Sequence, residues 1–239
     1  MSTTVTLPSL AVETAALETV TVDIYRDIHK GIRSELFGVT VAAGQVDPGN
    51  RDAVAAVAGR WRDLVGLLVA HAEHEDEFLQ PVIEVHAPSF AEVIATAHPE
   101  LEAQMAALEV LADRATDAGV CERRLFVHRM YLGFASFTSA YLQHQEFEET
   151  QVMPALAAKI GVGELLAING AIVASIPPDQ MVQSATLMFP AMNVEDRTEL
   201  LGGAQAEAPP EVFAGMMALT QSVLSPADYA EVATRLGVA

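Results

Sequence analysis

Apolar residues recur every three or four positions along most of the chain, which is the spacing of one face of an α-helix. The first segment with this pattern, LETVTVDIYRDIHKGIRSELFGVTVAA, ends at GQVDPGN, where the Asp-Pro-Gly sequence predicts a turn. Asn50 follows this turn and is the predicted N-cap of a second long helix, which we expect to extend to about Gln80.

A third helix is predicted after a break within residues 81–88, which begin and end with proline. The sequence SFAE at 89–92 has the spacing of a capping box, in which Ser is followed by Glu three residues later. We expect the helix to continue to about Ala118. Because Pro99 lies within it, we also expect a kink or a helix boundary beside His98.

The fourth predicted helix runs from about Glu122 through Leu156. Four long helices with short connections predict an all-α fold, an up-down four-helix bundle. Beyond about Gly161, proline-containing segments separate shorter predicted helices of about 10 to 15 residues. We therefore expect three parts, which are a polar leader at 1–14, the bundle at 15–158 and a smaller helical C-terminal region at 159–239 packed on the bundle.

The charge and cysteine content exclude several kinds of partner and site. The chain has 13 Lys and Arg against 32 Asp and Glu, a formal net charge of −19, whereas binding to nucleic acid or an anionic membrane requires clustered Lys and Arg. The single cysteine, Cys121, excludes an internal disulfide and multi-cysteine metal sites. The longest apolar stretch, LLAINGAIVASI, is too short to span a bilayer, and no secretory signal is visible. We therefore expect a soluble cytoplasmic protein.

A motif of ionisable residues occurs twice, once in the second helix and once in the fourth. In HAEHEDEFLQP His71 precedes Glu75 by four positions, and in HQEFEETQVMP His144 precedes Glu148 by the same interval. Both copies continue to a proline six residues after the glutamate, which we interpret as the end of each helix. Residues i and i+4 project from one helix face about 5–6 Å apart, so each His and Glu can bind one metal, or adjacent metals with the carboxylate bridging.

The other two helices each contribute one histidine, His29 and His98, so all four helices carry a candidate metal ligand. Imidazole together with carboxylate suits iron, zinc or manganese, and four histidines with two carboxylates are enough for two metals. The alternatives are buried ion pairs for the motif residues and core histidines for the two lone residues. Burying such groups without a metal is costly, and the matching motifs favour a metal site.

The order His, His-x3-Glu, His, His-x3-Glu across four helices resembles the hemerythrin-like HHE domain, over about residues 15 to 158. This resemblance implies a non-haem centre of two iron ions joined by an oxo or hydroxo bridge. It also implies that Glu75 and Glu148 bridge the two ions. The ligands that it implies are His29, His71, Glu75, His98, His144 and Glu148.

Two positions depart from the pattern of oxygen-carrying hemerythrins. Those proteins have a second histidine four residues after the first on the third helix, where this chain has Glu102. Their carboxylate on the fourth helix is an aspartate five residues after the histidine. Here Glu148 and Glu149 follow the histidine by four and five residues. We expect Glu148 to be the ligand, because the second helix also has its glutamate four residues after the histidine. The added carboxylates should favour the ferric state and disfavour reversible oxygen carriage. Glu102 is a candidate catalytic ligand, a partner of a ligand, or a surface residue.

Tyr25 is the other candidate catalytic residue, because it lies four residues before the first histidine and shares its face. It would donate a hydrogen bond to a metal-bound oxygen, act as a redox-active phenol, or pack in the core. We expect His74 to lie beside the site or on the surface. His86 and His128 are expected to be structural.

The resemblance implies a protein that binds or reacts with dioxygen, peroxide or nitric oxide, as a di-iron oxidase or oxygenase or a peroxide-decomposing enzyme. The alternative is a binding or sensing module for iron, O2 or NO that signals through its C-terminal helices. Those helices would otherwise cap the bundle, contact a protein partner or form a homodimer. The sequence does not identify an organic substrate.

Overall fold

The structure, a computed structural model, describes residues 20–238, and every regular element within that range is a helix. The helices are α1 (Arg26–Gln45), α2 (Arg51–His74), α3 (Gln80–His86), α4 (Pro88–Asp117), α5 (Val120–Phe147), α6 (Met153–Ala157), α7 (Val162–Ser175), α8 (Pro178–Ala191), α9 (Val194–Glu207), α10 (Pro210–Val223) and α11 (Pro226–Arg235). Two π-helical turns, Glu75–Leu79 and Glu148–Val152, join α2 to α3 and α5 to α6. The predicted all-α bundle with extra C-terminal helices is confirmed.

The bundle consists of α1, α2, α4 and α5, each of which buries one apolar stripe. Trp61 on α2 is fully buried, stacks on Phe134 with ring centroids 4.4 Å apart, and meets Phe137 edge-on at 5.2 Å. On α1 the buried residues Ile32, Leu36 and Val39 recur at intervals of four and three. This core occupies the middle of the bundle and holds the four helices in register beside the ionisable residues.

The starts of α1 and α2 follow local capping chemistry, which the sequence predicted for α2 and missed for α1. Asn50 caps α2 as predicted, since its side chain accepts a hydrogen bond from the backbone N–H of Ala53 at 3.1 Å. The first helix begins at Arg26, later than predicted, because Asp23 accepts the backbone N–H groups of Tyr25 and Arg26, both at 3.0 Å, and holds the preceding residues in a bend.

The predicted capping box at 89–92 is wrong, and so is a helix boundary at Pro99. The third long helix begins at Pro88, so Ser89 lies in its first turn. The same helix runs through Pro99 to Asp117. Pro99 and Ala95 are both exposed, so the carbonyl that loses its donor at the proline lies on the solvent side of the helix.

The prolines that follow the two motifs do not end their helices, contrary to the prediction. Pro81 and Pro154 each lie just after a π-helical turn, whose closing bonds run from the N–H of Gln80 to the carbonyl of Glu75 and from the N–H of Met153 to that of Glu148. A proline ring clashes with the carbonyl four residues earlier in a regular helix. The wider π turn relieves this contact, and the chain continues as α3 and α6.

The C-terminal helices α7 to α11 have 14, 14, 14, 14 and 10 residues, in agreement with the lengths predicted from the proline-containing segments between them. A small core of Phe189, Met192, Leu201, Met217 and Val232 joins α8 to α11. Helix α8 packs closely on α1, and helix α7 packs on the end of the bundle that carries the motifs.

The predicted leader at 1–14 lies outside the described residues, and the boundaries at 15–158 and 159–239 stay predictions. Among residues 20–238, no single helix combines the length and apolar character needed to cross a membrane. Helices α7 and α8, which are joined by a sharp bend, meet that condition only when both are counted together.

Candidate metal centre

Six predicted ligands converge near one end of the bundle. His29 comes from α1, His98 from α4, and each copy of the motif supplies one histidine and one glutamate. His71 has a side chain that is 10% exposed, and the others are fully or almost fully buried. Two overlapping groups have ligand atoms within 4.8 Å of one another, which are Glu75, His98, His144 and Glu148, and His29, His71 and Glu75.

The four histidines form two pairs with similar geometry. The Nε2 atoms of His29 and His71 lie 3.1 Å apart, and their rings meet edge-on with centroids 5.1 Å apart. The rings of His98 and His144 also meet edge-on, with centroids 5.0 Å apart. Each pair joins a lone histidine to a motif histidine.

Glu75 presents one oxygen to each histidine pair. Its Oε1 atom lies 3.0 Å from Nε2 of His71 and 3.9 Å from Nε2 of His29. Its Oε2 atom lies 3.5 Å from Nε2 of His98, in the other pair. This carboxylate therefore spans the gap between the two pairs.

Glu148 spans the same gap, starting from the other histidine pair. Its Oε1 atom lies 3.1 Å from Nε2 of His144, and its Oε2 atom lies 3.5 Å from Nε2 of His29. The contacts of the two glutamates with the two histidine pairs are thus closely matched in length. Each pair of imidazoles faces one oxygen from each carboxylate.

The local sequence explains how the two glutamates reach this position. Each is the first residue of a π-helical turn and lies four residues after its histidine, so the intervening helical turn brings the two side chains together. π-Helical turns inside α-helices often occur at functional sites. Here both coincide with the two copies of the motif.

Two more carboxylates contact the outer nitrogens of the lone histidines. Nδ1 of His98 lies 2.8 Å from Oδ1 of Asp76, and Nδ1 of His29 lies 2.9 Å from Oε1 of Glu149. Arg33 also donates to this oxygen of Glu149 at 2.7 Å. From the sequence, Glu149 was considered only as a rival ligand and Asp76 was not recognised, although each directly follows a motif glutamate.

The histidines and carboxylates of the cluster shift one another's pKa values. Burial alone would lower the pKa of His29, but the carboxylates of Glu149 and Glu75 raise it to about 9. Burial also lowers the pKa of His98, and Glu75 and Asp76 raise it to about 9. Although burial raises the pKa of Glu75, the surrounding imidazoles hold it well below its ordinary value. Without a metal, protons on His29 and His98 therefore offset part of the negative charge of the carboxylates at neutral pH.

The residues fit a metal ion, as their unpaired buried atoms show. Within the part of the chain that the structure describes, both carboxylate oxygens of Glu75, both of Glu148 and Nε2 of His98 are buried without an aligned hydrogen bond. Such an unpaired group costs about 1–3 kcal/mol, and more when charged. A cation would satisfy these atoms, and imidazole with carboxylate is a donor set that first-row transition metals accept.

Two buried tyrosines lie beside the histidine pairs. Tyr25 is 1% exposed, and its ring centroid lies 5.2 Å from that of His29. Tyr141, which was not recognised from the sequence, lies three residues before His144, with ring centroids 5.7 Å apart. Burial, reinforced by the charges of the two motif glutamates, raises the pKa of both tyrosines well above its ordinary value. Both phenols therefore remain neutral at physiological pH.

The other candidate residues lie outside the cluster. Glu102 is exposed, because the buried stripe of α4 passes through Leu101 and Met105 instead, and it is not a ligand in this arrangement. His74 is half-buried against Phe78 with ring centroids 6.5 Å apart. His86 and His128 do not belong to either group of ligand atoms, and His128 is exposed.

The comparisons with known proteins identify the family. No curated protein and no solved structure gives a significant match to the chain. The sequence model of the hemerythrin HHE cation-binding domain matches residues 20–156, which include both motifs and both lone histidines. On this match, the chain belongs to the hemerythrin HHE cation-binding domain family.

Proposed function

We propose that the cluster binds two iron ions, one at each histidine pair. The observation that supports this most directly is that each motif glutamate offers its two oxygens to different pairs. His29 and His71 would hold one ion and His98 and His144 the other, with both glutamates shared. Two sites that share carboxylates need fewer buried charges than two independent sites would.

We further propose that this centre reacts with dioxygen, peroxide or nitric oxide in redox chemistry. Bound iron would supply the electrons. The protein's own groups would exclude water, keep the imidazoles ordered and surround the ions with four carboxylates. Two of these are Asp76 and Glu149, which contact the outer nitrogens of His98 and His29. This negative charge supports the ferric state. The neutral phenols of Tyr25 and Tyr141 each hold a proton beside the site.

Iron content tests the ligand assignment. The full chain, loaded anaerobically with ferrous iron and desalted, should retain two ions. Glu75→Ala and Glu148→Ala should each lose bound iron, whereas His86→Ala and His128→Ala should retain two ions because these residues lie outside the cluster. Retention of two ions in both glutamate variants would overturn the assignment.

The visible spectrum tests the chemistry. Oxygen is admitted to the ferrous protein and then removed. We expect an irreversible change, as the excess of carboxylates favours oxidation. A band that forms and then disappears on oxygen removal would instead identify a carrier or sensor. Loss of added peroxide no faster than with free iron would exclude a peroxide-decomposing activity.

The alternative function is sensing, and the contacts of α1 with the C-terminal helices support it. Lys30 pairs with Asp196, Arg26 pairs with Glu199 at 3.0 Å, and the backbone of Gly31 packs against that of Met188. These residues flank His29, so a shift of that histidine would reach α8 and α9 directly. Hydrogen exchange of residues 178–207 should then change between ferrous and oxidised protein. Identical exchange in both states would exclude this function.

A further inference from the structure

We infer that Asp76 and Glu149 are positioning residues that fix the metal-facing nitrogen of His98 and His29, an inference that rests on the proposed metal site. Each carboxylate lies within hydrogen-bond distance of Nδ1, at 2.8 and 2.9 Å. The opposite nitrogen, Nε2, faces the cluster in both histidines.

The chemistry of imidazole gives this contact a specific consequence. A histidine binds a metal through an unprotonated nitrogen, and the hydrogen bond made by its other nitrogen decides which one that is. A carboxylate accepts only, so it keeps a proton on Nδ1 and leaves the lone pair on Nε2. It also fixes the plane of the ring and increases the basicity of the ligand nitrogen.

The two contacts are made crosswise between the helices. Asp76, in the π turn after α2, holds the histidine of α4, and Glu149, in the π turn after α5, holds the histidine of α1. Each π turn therefore begins with two adjacent carboxylates, the first facing the cluster and the second bonding the outer side of a neighbouring imidazole. This arrangement ties the four helices together around the site.

The two carboxylates differ in their surroundings, which makes their contributions unequal. The side chain of Asp76 is 53% exposed, whereas that of Glu149 is 22% exposed and also accepts from Arg33. Water can replace part of the bond to His98 when Asp76 is changed. His29 is fully buried, so we expect the larger loss when Glu149 is changed.

Cobalt(II), loaded into the full chain, is the probe for the test. Asp76→Asn and Glu149→Gln should each weaken cobalt binding by about 10- to 100-fold in competition with a chelator, with two ions still bound at saturation. Asp76→Glu and Glu149→Asp, which keep the charge, should recover part of the affinity. Glu77→Gln and Glu146→Gln are matched controls, since both residues are exposed neighbours, and they should bind as the unaltered chain does.

Proton NMR of the cobalt protein separates positioning from a general structural effect. An imidazole bound through Nε2 shows a strongly shifted Nδ1–H signal that persists in water while a carboxylate accepts it. Asp76→Asn should broaden only the signal of His98, and Glu149→Gln only that of His29. Unchanged affinity and unchanged N–H signals in both variants would overturn the inference while leaving the metal site intact. Failure of the unaltered chain to bind two cobalt ions would instead overturn the proposed function on which it rests.

Discussion

Metal binding to this chain should release protons, because His29 and His98 hold them in the metal-free protein. Each has a pKa of about 9, against 6.5 for an ordinary histidine. At neutral pH both rings are therefore protonated, and a metal must displace the proton on Nε2. Apparent metal affinity should consequently rise with pH until the pH exceeds about 9.

The size of the effect follows from these values. Deprotonating one group whose pKa lies about two units above neutral pH costs about 2.7 kcal/mol, or about 100-fold in affinity. Each ion displaces one such proton, from His29 or from His98, so the affinity for each ion should change by about one logarithmic unit for each pH unit. The metal-free protein should show the opposite trend in stability. A raised histidine pKa stabilises the fold fully below pH 6.5, and this stabilisation is lost as the pH rises through about 9.

Zinc, which has no redox chemistry, is the suitable metal for this measurement. Affinity would be measured by competition with a chelator at several values between pH 6.5 and about 9, and the thermal midpoint of metal-free protein over the same range. His86→Ala should show the same slope as the unaltered chain. An affinity that does not change across this range would mean that neither histidine is protonated, and the charge balance described for the cluster would be wrong.

Three further predictions concern the fold. Trp61→Ala should lower the free energy of unfolding by about 3–5 kcal/mol in denaturant titrations, and a loss below about 1 kcal/mol would contradict its central place in the core. Asn50→Ala should cost about 1 kcal/mol, because it removes the cap of α2, and no loss would mean that water replaces the cap. Gly31→Leu should separate α8 from α1, since a Cβ there would lie 3.2 Å from the backbone of Met188. Faster hydrogen exchange in residues 178–191 is expected, and unchanged exchange would show that the helices readjust without separating.

The sequence was informative where the geometry is local. A histidine and a glutamate four residues apart share a helix face whatever the helix packs against, so the pairs His71–Glu75 and His144–Glu148 could be recognised directly. The bundle followed in the same way from the spacing of apolar residues. The structure brings both pairs together with the two lone histidines.

The other features of the site depend on how the helices pack and on where they depart from ideal helix geometry. The contacts of Asp76 with His98 and of Glu149 with His29 join residues 22 and 120 positions apart, and no spacing rule predicts them. Glu102 has the same spacing from His98 as the ligand pairs have, yet it faces solvent. Pro81 was interpreted as the end of a helix, but the π turn before it lets the helical chain continue through the proline.

The two π turns also affect how the chain can change in length. A π turn contains one residue more than the α-helical turn that it replaces. Deleting a residue there would leave the following helix facing the same way, whereas a deletion in the middle of α2 would rotate everything after it by about 100°. The turns that begin at Glu75 and Glu148 are therefore two positions where the chain can lose one residue without turning Ile83 or Leu156 out of the core. Both positions border the cluster, so deletion, as well as substitution, provides a route by which the chemistry of such a bundle can diversify.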